Sequence, residues 1–71
     1  MRYLVVVERG EAGYGVHVPD LPGCIAAGAT KEEVLGLIQE AIEFHIEGLQ
    51  EAGAQVPPPS SMSEFVEVNA A

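Results

Sequence analysis

Between Thr30 and Gly53 the chain carries one uninterrupted amphipathic repeat, and no other feature limits its possible folds as strongly. Thr30-Lys31-Glu32-Glu33 reads as a capping box, in which the Thr30 hydroxyl accepts a first-turn backbone N–H and Glu33 reaches back. Glu32 and Glu33 also suit the positive end of a helix dipole. The helix is predicted to run to about Ala52, with Gly53 as the left-handed residue that ends it. At 100° per residue, Val34, Leu35, Ile38, Ala41, Ile42, His45, Ile46 and Leu49 fall on one broad stripe. A helix with a single apolar stripe needs another surface to cover it, and the remaining segments supply a sheet.

Residues 2–8 contain Tyr3-Leu4-Val5-Val6-Val7, a β-prone run apolar on both faces, which predicts a strand inside a sheet. Gly10-Glu11-Ala12-Gly13 reads as a turn. Residues 14–18 alternate Tyr14, Val16 and Val18 against Gly15 and His17, giving a second strand and a hairpin. The prolines of Pro19-Asp20-Leu21-Pro22-Gly23 stop regular pairing. Residues 24–28 read as a short third strand of small side chains. Beyond the helix, residues 55–61 form a proline-rich spacer, and 63–68 alternate again as a fourth strand. Asn69, Ala70 and Ala71 are a frayed end. The order β-β-β-α-β describes one domain over residues 1–71, a two-layer α+β fold. If the last strand lies parallel beside the first, the first becomes internal, as its two-sided apolar run requires.

Size and charge narrow the function. In a chain of 71 residues with 48% apolar content, nine of the apolar residues are Ala, so large core side chains are few. Self-association is a common remedy for so thin a core. No stretch approaches the ~20 apolar residues of a membrane span. The start lacks the apolar run of a signal peptide. The single cysteine allows neither an internal disulfide nor a cysteine-rich zinc site, and the whole suits a reducing cytoplasm. Three basic against eleven acidic residues give a net charge of −8. That balance argues against nucleic-acid binding by this chain alone and favours a basic protein partner.

Residues capable of chemistry are present but do not form recognisable sites. The carboxylates show no spacing that would converge on a metal ion. Cys24 reads as a small buried hydrophobe. His17 and His45 offer no i, i+4 ligand pair. No glycine-rich phosphate loop occurs. The expectation is therefore no catalysis, no cofactor and no metal.

The helix surface says more. Glu33, Glu40, Glu43, Glu47 and Glu51 cluster within about 80° of one another, opposite the apolar stripe. Like charges at i, i+4 oppose helix formation, and only Lys31 could offset them. One reading is a solvated face; the sharper one is a docking face for a basic partner. Leu37 and Phe44 lie beside the acids and outside the apolar arc. An apolar centre with a charged rim suits an interface, either with a partner or between two copies of the chain.

The run Gly13-Tyr14-Gly15-Val16-His17-Val18-Pro19-Asp20-Leu21-Pro22-Gly23-Cys24 resembles the signature of HicB-like antitoxins. The likeness continues through Gly28, the Thr30-Lys31-Glu32-Glu33-Val34-Leu35 helix start, Glu40-Ala41-Ile42 and Pro57-Pro58-Pro59-Ser60, so it covers nearly the whole chain. The resemblance implies a partial RNase H-like fold with strand order 3-2-1-4, lacking nuclease carboxylates. It also implies a role: binding and neutralising a small basic HicA-like mRNA interferase toxin. Many members carry a DNA-binding segment after this domain, and none is read within these residues. The partner-binding candidates are Glu40, Glu43, Glu47, Phe44 and Leu37 on the helix, with Asp20 in the loop. The alternative reading is a solitary oligomeric binding module for a small ligand or an unrelated protein. Self-association is expected through a helix patch at Phe44 and Leu37 or through a sheet edge.

Overall fold

The computed structural model describes residues 1–70; within the expected frayed end, Ala71 lies outside the described residues. Three short strands, β1 (Val6–Arg9), β2 (Tyr14–His17) and β3 (Ile25–Gly28), precede one helix, α1 (Lys31–Glu51). The strands form an antiparallel sheet in the order β1-β2-β3. The register aligns Val7 with Val16 and Val16 with Ala26, so a row of small and branched side chains crosses the sheet. Helix α1 packs over β2 and β3.

The helix begins and ends for the local reasons the sequence suggests. Thr30 is extended and its hydroxyl accepts the Glu33 N–H at 3.1 Å. Glu33 reaches one residue further back than a standard capping box requires: its Oε1 accepts the Ala29 N–H at 3.0 Å. That carboxylate also lies where a side chain at Gly28 would stand, so the end of β3 and the start of α1 are tied through a residue without a Cβ. At the other end Gly53 adopts φ 71°, its N–H donates to Gln50 O, and Ala54 N–H donates to Leu49 O. This is a Schellman termination, open to glycine because the left-handed conformation carries no Cβ penalty.

The core consists of Val16, Val18, Leu21, Cys24, Val34 and Ile38, flanked by half-buried Tyr3, Val5, Val7, Tyr14, Ala26, Ala41, Ile42 and Ile46. The helical stripe therefore packs as its spacing predicts, with Val34 and Ile38 at the centre and Leu35 left 40% exposed at the margin. Burial pushes the Cys24 thiol pKa up. The loop between β2 and β3 does more than interrupt a strand. Leu21 N–H donates to Val18 O, Cys24 N–H to Leu21 O and Val18 N–H to Cys24 O, closing a tight loop that drives Leu21 wholly inside.

The expected four-stranded sheet is corrected in two respects. Residues 63–68 form no ladder; Phe65 is 101% exposed, Val66 80% and Val68 76%. The first strand is correspondingly shorter than residues 2–8, and β1 sits at a sheet edge. Alternation shows that a segment can form a strand, but it does not specify which edge will pair with it. The continuous apolar run at residues 3–7 is half-buried throughout, with Tyr3, Val5 and Val7 turned to the core. The molecule is correspondingly elongated, 52 × 27 × 17 Å, with a Cα radius of gyration of 14.3 Å. A compact chain of this length would have about 11 Å.

A candidate protein-docking site

The six residues singled out by sequence do not form one site. Glu40, Glu43, Glu47, Leu37 and Phe44 all lie on α1, whereas Asp20 lies in the β2–β3 loop. On the helix the three glutamates are exposed, Phe44 is 79% exposed and Leu37 39%. Their arrangement follows from the repeat: the stripe built on Val34 and Ile38 faces the sheet, so the acids fall on the outer side. A large aromatic ring standing in water beside carboxylates contributes nothing to the fold, and its removal should leave the core unchanged. The helix has acidic residues in its first turn and no basic residue in its last, so the negative end of its dipole is not offset from within.

Asp20 has a different job. Its Oδ2 accepts the backbone N–H groups of Ser60 and Ser61, both at 2.9 Å. Its Oδ1 accepts the Ser61 hydroxyl at 2.7 Å and the Ser60 hydroxyl at 3.2 Å. The carboxylate thus clips the segment after the helix to the β2–β3 loop, while the Tyr3 hydroxyl donates to Pro57 O and fastens the same segment to the N-terminal run. Four donors favour the charged form, the Ser61 N–H most, and hold the Asp20 pKa down from 3.8 to about 2. A group whose pKa is lower folded than unfolded stabilises the fold above its unfolded value and loses that contribution as pH falls through its folded one. The clip is therefore expected to be complete above about pH 4 and to release towards pH 2. The Ser60 and Ser61 amide resonances, followed through an acid titration, should move with a midpoint near pH 2. A midpoint near pH 4 would show that the carboxylate is not held this way. The clip is not legible in the sequence because nothing local links residue 20 to residues 60 and 61; an Asp in a proline loop and a Ser pair after three prolines are the only signals.

Among the described residues, no three His, Cys, Asp or Glu side chains gather to hold a metal ion. No helix among them is long and apolar enough to cross a membrane. One apolar groove of about 440 Å³ runs between α1 and the N-terminal segment, lined by Tyr3, Val5, Leu35, Ile38, Ile42 and Ile46, with Glu43 at its side.

A two-layer α+β domain with a clipped extension and an acidic, aromatic-bearing helix face has the features of a small protein-binding module. Its sequence matches, over residues 3–70, the family described as "HicB_like antitoxin of bacterial toxin-antitoxin system", and the chain belongs to that family. It is 39% identical over 71 residues to Antitoxin HicB 2 of Photorhabdus laumondii, covering 99% of this chain and 51% of that protein. It is 39% identical over 66 residues to a protein of the rep-hol intergenic region of Haemophilus phage HP1, covering 93% of this chain and 50% of that one. A UPF0150 protein of Thermoplasma acidophilum is 45% identical over 58 residues, covering 80% and 84%. The chain thus spans about half the length of the phage and Photorhabdus relatives. Among solved structures, a chain of the "HicA3 and HicB3 toxin-antitoxin complex" superposes with a TM-score of 0.72 at 32% identity, covering 83% of this chain and 70% of that one.

Proposed function

We propose that this domain is the toxin-binding part of an antitoxin. It neutralises a small basic HicA-like mRNA interferase by covering that protein's RNA-binding or catalytic surface. The observation that carries the reading is the outer face of α1, where Glu40, Glu43 and Glu47 surround an exposed Phe44 and the half-exposed Leu37. An RNA-cleaving protein must present positive charge to phosphates. An acidic face on a chain of net charge −8 complements it, steering encounter and fixing orientation. Phe44 supplies the desolvated anchor that such interfaces concentrate their binding energy on. Family membership and structural likeness to a chain of a toxin–antitoxin complex support the same assignment. In this reading the domain performs no catalysis and needs no cofactor. It works in a reducing compartment that suits its buried free thiol, and it does not bind nucleic acid on its own. Asp20 serves the site by holding the chain after the helix, and the docking contacts fall to the five helix residues.

Co-expression with a small basic toxin of the HicA-like class tests the proposal. The expected outcome is a complex that survives purification at moderate salt and dissociates as salt rises. Recovery of the toxin free of this chain under the same conditions would reject it.

A further inference from the structure

We propose that residues 62–68 form a fourth strand in trans, adding to the open edge of β1 in a second copy of this chain and closing that copy's apolar groove. Three observations converge on this pairing. The segment Met62-Ser63-Glu64-Phe65-Val66-Glu67-Val68 has the alternation and β-branched or aromatic content of a strand, yet its large apolar side chains are 76–101% exposed. The sheet order β1-β2-β3 leaves one edge of β1 without a partner, and an unpaired edge is a template for another strand. The groove between Tyr3 and Val5 on that side and Ile38, Ile42 and Ile46 of α1 is apolar and open, because the helix sits over β2 and β3. A strand beside β1 would turn every second side chain into it.

The way the segment leaves its own domain favours a second copy as the recipient. Pro57 is held by Tyr3, and Ser60 and Ser61 by Asp20, so the chain is fixed up to the point where the free stretch begins. Ser61, Met62 and Ser63 pass close to Arg2, Tyr3 and Leu4 without forming a ladder with them. Beyond that point the segment projects from its own body, with Phe65 fully in water. Charge points the same way. Two of the chain's three cations, Arg2 and Arg9, are exposed at the two ends of the N-terminal edge segment, and the free stretch carries Glu64 and Glu67. Exchange between two copies is reciprocal, so each would donate one strand and receive one in a twofold dimer. Of the acidic face of α1, Glu43 borders the closed groove, whereas Glu40 and Glu47 do not line it.

Light scattering on the purified chain at tens of micromolar should give a dimer. A sample mixing isotope-labelled and unlabelled copies should show contacts between Val66 or Val68 and Val5 or Ile42 across copies. Phe65→Asp with Val66→Asp should weaken dimerisation roughly tenfold or more while the far-UV spectrum stays that of a folded α+β domain. Both side chains are exposed within a single copy, so folding of that copy does not depend on them. A monomer at these concentrations would overturn the proposal. So would a dimer unaffected by the double substitution, or contacts found only within one copy, which would mean the strand docks on its own β1.

Discussion

Reversing Glu40 and Glu47 to Lys together should lower affinity for a basic toxin by roughly 10–100-fold near physiological salt. Most of that loss should come from slower association. The wild-type affinity should itself fall as salt rises, because the contributing charges are exposed and screened. The same two changes should leave the free domain as stable as before or raise its melting temperature by up to a few degrees. Their side chains lie outside the packed stripe of Val34 and Ile38, and in the wild type Glu40 stands at i, i+3 to Glu43 and Glu47 at i, i+4 to both Glu43 and Glu51, all like-charge neighbours. The two signs together decide the matter. A merely solvated face predicts unchanged binding, a structural face predicts lost folding, and a docking face alone predicts weaker binding with an undiminished melting temperature. Unchanged toxin affinity with unchanged salt dependence would remove the acidic face from the interface.

Leu21→Ala should be the most damaging single truncation in the molecule. Leu21 is 0% exposed and shares the centre of the core with Val34. Emptying such a site costs about 2–5 kcal/mol. A domain of this size has only about 4–11 kcal/mol in total, so the melting temperature should drop by roughly 10–30 °C. The loss is confined poorly, because Leu21 also caps the loop whose hydrogen bonds join Val18 to Cys24 and position Asp20 for Ser60 and Ser61. The clip should loosen along with the core, visible in the Ser60 and Ser61 amides below the melting transition. A fall of less than about 4 °C would show that the loop leucine is dispensable.

What could be read from the sequence was what depends on near neighbours. The helix, its Thr30 cap and its Gly53 termination all rest on residues a few positions apart, and each is legible in the sequence alone. The hairpin was equally plain, since Gly10 to Gly13 join two β-prone runs. Leu21 was hidden by its surroundings: flanked by Pro19-Asp20 and Pro22-Gly23, it reads as part of a break, yet the closed loop turns it into the centre of the core. Asp20 reads from the sequence as a partner-binding candidate in the loop, whereas the structure turns it onto residues forty positions away. The fourth strand shows the same limit from the other side. Its alternation is real, but a strand is defined by its partner, and no local pattern in residues 63–68 specifies one. The exposed positions of Glu40, Glu43, Phe44 and Glu47 did follow from periodicity, because the apolar stripe fixes where the opposite face must lie.

A domain that works by covering a basic RNA-cleaving protein must stop that protein's cleavage of RNA. The most direct test is a cleavage assay in which a fixed amount of purified HicA-like toxin acts on RNA while this chain is added in increasing amounts. Cleavage should stop at stoichiometric addition, and Glu40→Lys with Glu47→Lys should shift the inhibition to higher concentration. Undiminished cleavage in the presence of excess folded chain would contradict it.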